Sequence, residues 1–416
     1  MDVYVEVFGC TANKSDAALI KGLIQNSKHE LVNDSNNADI IVIITCTVID
    51  TTEQRMISQM KKYKKTGKNI IVAGCMASIQ IETIIKILPD AKLLPPQYSH
   101  HILDLIENKE TKFIYKNKTN YAKCYNDVIA PISISEGCMF SCTYCITSLA
   151  RGKLKSFPIN EIKKDVSYAV EKGCREIQLT AQDSSSYGLD IKSDLGILLK
   201  KTSEIIGDFR IRAGMMNPFT CKMNLDSIVE GFQSLKIYKF LHLPIQSGDN
   251  DILKKMKRKY NVDDVLKIIK KFKQKYPDLT ISTDIIVGFP SETEDQFQNT
   301  IRIIKDIKPD ITNITKFSAR PFTKAKTMIG RINTDIVKNR SKKLTEICSD
   351  ISYDNNKKHN GKKYNLLITE KGKNKTFVGR SENYKPVVID KKVDLGEFVE
   401  VEIIDYAPTY LVGSII

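Results

Sequence analysis

The chain has 416 residues, a formal net charge of +15, and 42% hydrophobic and 27% charged residues. This length predicts two or three separately packed units, and no apolar run approaches the roughly 20 residues that a membrane helix needs. The acidic start at Asp2 lacks the basic region and small-residue cleavage site of a secretory signal. We therefore expect a cytoplasmic, multidomain protein with no membrane partner.

The positive charge and the cysteines narrow the class of function. Excess basic charge indicates a polyanionic partner, because neutralised phosphates release counterions, although lysine runs are also typical of solvated helix faces. Ten cysteines in a reducing compartment favour metal or cluster ligation over disulfides.

Residues 1–125 alternate strand and helix patterns, which predict an α/β domain with a parallel sheet. The expected strands are Val3–Phe8, Ile40–Ile44 and Asn69–Ala73, and the expected helices are Ser15–Gln25, Thr52–Lys65, Ile79–Leu88 and His101–Asn108.

A cysteine follows each of these strands, at Cys10, Cys46 and Cys75. Strand ends of one polarity share an edge of a parallel sheet, so the three thiols are predicted to converge. Gly9 and Gly74 would let the backbone approach a bulky cluster. The alternative is that these are ordinary buried cysteines at strand ends.

Residues 126–330 form a second alternating series, which predicts a partial (βα)6 barrel. An open doubly wound sheet remains the alternative, since periodicity does not separate the two. The expected strands are Ile132–Ser135, Glu176–Thr180, Arg210–Met215, Phe240–Pro244, Thr280–Val287 and Asn313–Ser318.

A C-x3-C-x2-C run, formed by Cys138, Cys142 and Cys145, follows the first of these strands. Three thiolates leave one iron of a [4Fe-4S] cluster open, whereas a purely electron-carrying cluster normally takes four. The open iron can chelate S-adenosylmethionine. A structural zinc site is the alternative, and it wants four ligands.

The last part of the chain predicts a connecting segment at 331–358 and a small all-β barrel at 359–416. Its expected strands are Tyr364–Thr369, Thr376–Arg380, Lys385–Ile389, Phe398–Ile404 and Tyr410–Ile416. Cations and rings in this barrel offer an RNA surface, with mere solvation as the alternative. The basic candidates are Lys362, Lys363, Lys371, Lys373, Lys375 and Arg380, with the rings of Tyr364, Phe377 and Tyr384.

The order of these domains resembles the radical S-adenosylmethionine methylthiotransferases over nearly the whole chain. The motifs that carry the resemblance are Gly9–Asn13 with Asp16, Thr45–Val48, Gly74–Ala77, Glu136–Cys145, Met215–Pro218, His242–Gly248 and Thr283–Pro290. The resemblance implies that both cysteine trios ligate [4Fe-4S] clusters and that the tail is a TRAM-like RNA-binding barrel. It also implies that the first trio's cluster carries the sulfur and that the second generates the radical.

Ala150–Leu154 and Gly379–Tyr384 look most like the archaeal and eukaryotic branch of that family. The branch implies methylthiolation of N6-threonylcarbamoyladenosine at position 37 of tRNA, with an electron donor and a sulfur source as partners. Isopentenyladenosine tRNA, a ribosomal protein aspartate and a non-catalytic metal-containing RNA-binding protein are the alternatives. Some positions depart from the family pattern, namely Ile44 in place of Asn and Ala181, Ser291 and Phe322 in place of Gly.

Four residues are predicted to contact S-adenosylmethionine. Tyr144 precedes the last cysteine of the run, while Asp183, Arg212 and Gln246 lie at or near strand ends where barrel enzymes carry their sites. Arg212 is expected to pair with the methionyl carboxylate. Packing or surface roles are the alternative for each.

Overall fold

The computed structural model describes residues 1–416, apart from the side chain of Asn120. The chain forms an α/β unit, a partial barrel, a long helix and a small closed barrel, so the predicted fold class is confirmed. Among the described residues, no helix has both the length and the apolarity needed to cross a bilayer.

The first unit is a five-stranded parallel sheet in the order β2-β1-β3-β4-β5. Its strands are β1 Asp2–Val7, β2 Glu30–Val32, β3 Ile40–Thr45, β4 Asn69–Gly74 and β5 Lys92–Leu94, and its helices are α1 Thr11–Gln25, α2 Asp50–Lys64, α3 Cys75–Ile79, α4 Ile81–Ile87 and α5 Ile102–Ile106. Every residue of the central strand β3 is buried, which is why it reads as a continuous apolar run. Helices α1 and α5 cover one face, and α2 and α4 the other.

Three sequence expectations for this unit were wrong in detail. The edge strands β2 and β5 have only three residues each, too few to show an alternating pattern. The expected helix Ile79–Leu88 is two short helices that break at Gln80. The helical stretch at His101–Asn108 is a 3-10 segment at Pro96–His101 followed by α5.

The second unit is the partial barrel. Its parallel strands run β6 Ile129–Ser133, β9 Glu176–Thr180, β10 Arg210–Ala213, β11 Phe240–His242, β12 Thr280–Val287 and β13 Ile311–Lys316, with a small ribbon of β7 Ser135–Glu136 and β8 Lys155–Ser156. A parallel bridge from Ile211 to Ile237 joins the β10-β9-β6 half to the β11-β12-β13 half. The six strands therefore lie side by side in chain order, as in a partial barrel, and not in the reversing order of an open doubly wound sheet.

Helices alternate with the strands of the barrel. They are α6 Thr147–Arg151, α7 Ile159–Glu171, α8 Leu195–Ser203, α9 Pro218–Met223, α10 Leu225–Gly231, α11 Asn250–Lys255, α12 Val262–Lys275 and α13 Glu294–Ile307. Helices α12 and α13 begin with capping boxes, in which the cap side chain and the third helical residue satisfy each other's backbone N–H groups. The connecting segment is the helix α14 Thr334–Lys357.

The tail is a closed five-stranded barrel in the order β14-β15-β16-β18-β17. Its strands are β14 Lys363–Lys371, β15 Phe377–Arg380, β16 Pro386–Ile389, β17 Phe398–Tyr406 and β18 Leu411–Ile415. Small apolar side chains such as Val387, Val401 and Leu411 fill its interior. Closure removes the exposed strand edges that a short open sheet would leave.

Candidate metal centre

The first cysteine trio lies along one edge of the N-terminal sheet. Strands β1, β3 and β4 are direct neighbours, and Cys10, Cys46 and Cys75 follow their carboxyl ends. Cys46 and Cys75 are buried, while Cys10 is exposed. Burial raises the pKa of Cys46 and brings that of Cys75 to about 12. These thiols therefore need a bound cation to ionise at neutral pH.

Glycine and asparagine hold this edge together. Gly9 has φ +103°, and a Cβ there would lie 2.7 Å from the Cβ and 3.1 Å from the Sγ of Cys46. The Asn13 amide donates to the carbonyls of Phe8 (2.7 Å) and Thr45 (2.9 Å), which precede Cys10 and Cys46. The backbone segments that carry Cys10 and Cys46 therefore approach each other closely, which fits the ligation of one metal cluster by the first trio.

The second trio lies in the loop between β7 and α6. The ribbon of β7 and β8 closes the base of this loop, and the Cys138 N–H donates to the carbonyl of Gly152 at 3.0 Å. Further along, the Thr143 N–H donates to the carbonyl of Met256 at 3.1 Å, which ties the loop to the opposite side of the barrel. All three cysteines are half-buried, and burial raises the pKa of Cys138 to about 12.

Arg258 contacts the second trio, although no sequence pattern singled it out. Its Nη1 lies 3.5 Å from the Sγ of Cys142, its Nε donates to the Tyr260 hydroxyl at 3.0 Å, and its Nη2 donates to the Pro244 carbonyl at 3.3 Å. The pKa of Cys142 is raised by burial, and the Arg258 charge offsets part of that rise. A guanidinium fixed in this way favours the thiolate form of Cys142.

The thiols of neither trio close around a single ion. Among the described residues, no group of three or more His, Cys, Asp or Glu side chains is gathered tightly enough for one metal ion. Zinc bonds to sulfur of about 2.3 Å in a tetrahedral site would bring two thiolates to about 3.8 Å from each other. Cluster ligands bind different irons and stand further apart, so three converging thiols without single-ion geometry fit a larger group better.

A buried ionic network joins the two trios. The Arg151 guanidinium donates to Glu136 (2.8 Å), Asp16 (2.7 Å) and Asn13 (2.9 Å). Lys118 donates to Asp16 at 2.6 Å and to Glu136. Both cations and both carboxylates have side chains no more than 4% exposed. Since these carboxylates belong to different units, the network fixes the first unit against the second trio's loop.

A second contact joins the first unit to the far side of the barrel. Arg320, in the loop after β13, pairs with Glu53 of α2 and lies 3.5 Å from Asp50. Helix α2 begins four residues after Cys46. The N-terminal unit is therefore held at both ends of the strand series, next to β6 and next to β13.

Two of the four predicted S-adenosylmethionine contacts, Gln246 and Tyr144, have partly exposed side chains near the carboxyl ends of the barrel strands. Gln246 follows β11 with φ +72° and bridges to Ile285 of β12. Tyr144 lies in the second trio's loop and packs on an apolar cluster that includes Met256 and Phe289.

The other two predicted contacts make different interactions. The Asp183 carboxylate accepts hydrogen bonds from Ser185, from the Asn217 N–H (2.9 Å) and from the Thr220 hydroxyl (2.7 Å). It therefore braces two loops at the carboxyl end of β9 and β10. The Arg212 guanidinium lies over the rings of Phe240 (5.2 Å) and Tyr384 (5.3 Å), so the structure does not place it for the expected carboxylate pair.

The tail barrel packs on the opposite end of the partial barrel. The Tyr384 hydroxyl donates to Glu176, the first residue of β9, at 2.9 Å. Its ring lies 4.7 Å from that of Tyr238 and 4.9 Å from that of Phe240. Tyr384 has φ +66°, an unfavourable value for a bulky residue, which the surrounding contacts must stabilise. The Tyr384 ring therefore packs against the amino ends of barrel strands β9 and β11.

The predicted RNA residues divide into three groups. Lys373 and Lys375 are exposed in the turn between β14 and β15, and Lys362 and Lys363 are exposed at the other end of β14, roughly 25 Å away along the strand. Arg380 is different, because it pairs with Glu370 (3.1 Å) and stacks on Tyr384. The rings expected to stack on RNA also face inward, since Phe377 and Tyr364 pack on the barrel core.

Three protein families match the sequence. They are the Radical SAM superfamily over residues 132–304, Uncharacterized protein family UPF0004 over 2–94 and the TRAM domain over 357–416. The structure is similar to that of the radical S-adenosylmethionine methyltransferase TsrM from Kitasatospora setae, with a TM-score of 0.59 and 9% identity over 78% of this chain and 76% of that one. The fold and its cysteine loop thus define a radical S-adenosylmethionine enzyme, which implies a [4Fe-4S] cluster and S-adenosylmethionine as cofactors.

The matches to curated relatives extend over nearly the whole chain. A protein of Archaeoglobus fulgidus named "Probable threonylcarbamoyladenosine tRNA methylthiotransferase" is 41% identical over 100% of this chain and 99% of its own length. The chain belongs to the threonylcarbamoyladenosine tRNA methylthiotransferase family. A protein of Fusobacterium nucleatum named "tRNA-2-methylthio-N(6)-dimethylallyladenosine synthase" is 33% identical over 98% of both chains.

Proposed function

We propose that this chain adds a methylthio group to C2 of N6-threonylcarbamoyladenosine at position 37 of tRNA. The observation that carries the proposal is the placement of two cysteine trios on loops that one buried ionic network joins. The family of the chain supports this substrate over the alternatives. We propose four units, namely the N-terminal α/β domain at 1–125, the radical S-adenosylmethionine domain at 126–330, the connecting segment at 331–358 and the TRAM-like barrel at 359–416. We also propose that the protein acts in the cytoplasm.

Each trio is proposed to hold one [4Fe-4S] cluster. Cys138, Cys142 and Cys145 would hold the radical-generating cluster, and the auxiliary cluster would be held by Cys10, Cys46 and Cys75. When bound, these cofactors supply one-electron chemistry and a 5′-deoxyadenosyl radical that attacks an unactivated C–H bond, which side chains cannot do. An electron donor and a sulfur source complete the reaction.

The protein's own residues position the reactants and exclude water. Arg258 favours the thiolate of Cys142, and Asp183 holds the loop that follows β9 beside the second trio. Gln246 and Tyr144 are proposed to contact S-adenosylmethionine, because both lie at the strand ends beside the cysteine loop. The ionic network holds the first unit against the loop of the second trio.

The substrate is tested with two tRNAs. Anaerobically reconstituted protein is incubated with S-adenosylmethionine, reductant and sulfide, together with tRNA bearing threonylcarbamoyladenosine or isopentenyladenosine, and nucleosides are analysed by mass spectrometry. We expect the methylthio product only from the first tRNA. Methylthio product only from the isopentenyladenosine tRNA would overturn the proposed substrate. About one zinc per chain and no 5′-deoxyadenosine would instead support a non-catalytic RNA-binding protein.

The exposed lysines at the turn between β14 and β15 are proposed to contact RNA phosphates. Replacing Lys371, Lys373 and Lys375 with glutamine is expected to weaken tRNA binding and to lower the slope of log affinity against log salt by about 2–3, close to one per lysine. The matched control replaces three exposed lysines of α12, namely Lys267, Lys270 and Lys271. Equal slopes for the two triple variants in filter-binding titrations would contradict a specific role for the turn.

A further inference from the structure

Arg151 is among the largest fully buried side chains of the protein, with 2% of it exposed. It ends helix α6, six residues after Cys145. Its two terminal nitrogens donate to Glu136, Asp16 and Asn13. Its Nε has no hydrogen-bond partner among the described side chains and backbone. A buried N–H without an acceptor costs free energy, so the lack of an acceptor for the Arg151 Nε calls for an explanation.

The same guanidinium lies beside the first trio, although it comes from the second unit. It donates to Asn13, whose amide donates to the carbonyls of Phe8 and Thr45 ahead of Cys10 and Cys46. The helix that begins at Cys75 also meets α6, because the Ser78 hydroxyl donates to the Ala150 carbonyl at 2.9 Å. The pKa of Cys75 is raised mainly by burial, and the charge of Arg151 acts in the opposite direction. Arg151 also lowers the pKa of Cys46 against the effect of burial. Burial acts to lower the pKa of Arg151 itself, but Asp16, Glu136, Cys75 and Cys10 raise it well above its usual value.

We propose that Arg151 is the counter-ion of the first trio, donating from Nε to its sulfur side and setting the reduction potential of the cluster held there. The inference rests on the proposed function, since it needs a cluster on that trio. Arg151 is a positioning residue, because it acts on ligands and touches no reacting atom.

Electrostatics gives the sign of the effect. A [4Fe-4S] cluster with three thiolates is anionic, and reduction adds one more negative charge. A buried cation in contact therefore stabilises the reduced form more than the oxidised form, and the low dielectric of the interior strengthens this difference. The network balances two cations against two carboxylates. Loss of the Arg151 charge would leave it net negative and make the cluster harder to reduce.

The arrangement also makes the potential depend on docking of the two units. Because the Gly152 carbonyl accepts from the Cys138 N–H, Arg151 and the second trio belong to one closed loop. Separation of the units would move that loop and withdraw the cation from the first trio. The auxiliary cluster is therefore easiest to reduce when the radical-generating loop is in place.

The test is a potentiometric titration followed by electron paramagnetic resonance on the full-length protein with both clusters. The two signals are separated by adding S-adenosylmethionine, which perturbs only the radical-generating cluster. In Arg151→Gln we expect the auxiliary cluster's reduction equilibrium to fall by tenfold or more, about 59 mV for one electron. Arg151→Lys, which keeps the charge, should recover most of this.

Two further variants separate charge from structural damage. Lys118→Gln removes the other cation of the network, which donates to Asp16 and Glu136 and makes no contact with Asn13 or the first trio, and should move the potential much less. Asp16→Asn leaves the network net positive and should move it in the opposite direction. A purely structural role would not reverse sign.

The outcomes distinguish the inference from the proposed function. If Arg151→Gln binds two clusters with unchanged potentials, or if Asp16→Asn shifts the potential the same way as Arg151→Gln, the counter-ion role is overturned. If Arg151→Gln fails to fold, the other two variants still test the counter-ion role, because Asp16→Asn should make the auxiliary cluster easier to reduce and Lys118→Gln should change its potential little. If the unaltered protein binds only one cluster, the proposed function fails before the role of Arg151 is reached.

Discussion

Replacing Cys46 with alanine is expected to lower the iron of the anaerobically reconstituted protein from about eight to about four per chain. Methylthiolation of tRNA should be lost, while release of 5′-deoxyadenosine from S-adenosylmethionine continues. The reason is that Cys46 belongs to the sheet-edge trio, and the second trio's loop has its own anchors at Gly152 and Met256. Iron analysis, nucleoside mass spectrometry and chromatography of 5′-deoxyadenosine measure the three quantities.

Cys142→Ala provides the opposite pattern. It should also bind about four irons, but it should lose 5′-deoxyadenosine release together with methylthiolation, because the thiol contacted by Arg258 is gone. Cys348→Ala is the matched control, since Cys348 in α14 is 6% exposed, the same as Cys46. It should keep all the iron and both activities. Full methylthiolation by Cys46→Ala would remove the auxiliary cluster from the mechanism.

The sequence was sufficient to predict the first trio, because its geometry follows from topology. Cys10, Cys46 and Cys75 are dispersed, but each follows a strand, and parallel strands place their carboxyl ends on one edge. Neighbouring positions for β1, β3 and β4 then bring the thiols together. The second trio was simpler still, since its three cysteines lie within eight residues.

The partners of the trios could not be predicted from local pattern. Arg151 and Asp16 are 135 residues apart, and Lys118 and Asp16 are 102 apart. Nothing in a periodicity tells a buried lysine from one on a solvated helix face. Arg258 is similar, because it lies in a basic stretch that resembles many exposed ones.

In the tail barrel, residue type alone suggested surface roles that the packing does not allow. Arg380 and Tyr384 have the residue types of an RNA surface, but the closed barrel and its packing on the amino ends of the strands turn both inward. Ser291 and Phe322, which stand where the family usually has glycine, keep glycine-like φ values of +64° and +61°. These φ values favour glycine, so each L residue is strained there.

Glu136→Gln is expected to destabilise the protein by about 3–5 kcal/mol, because it leaves Arg151 and Lys118 buried with one carboxylate between them. Glu136 is 2% exposed and accepts from both cations. Their charges hold its pKa below the usual value although burial acts to raise it. Since a lowered folded-state pKa adds stability that is lost only as pH falls through that pKa, the difference should stay constant from pH 8 to pH 5.

Urea unfolding of the reconstituted protein measures this loss, with iron content as a second readout of docking. The matched control is Glu370→Gln, which breaks the Arg380 pair in the tail, where the Glu370 side chain is 51% exposed. Exposed pairs contribute about 0–1 kcal/mol, so this variant should unfold near the urea concentration of the unaltered protein. Equal midpoints for the two variants would mean that the network between the trios contributes no more to stability than a surface ion pair.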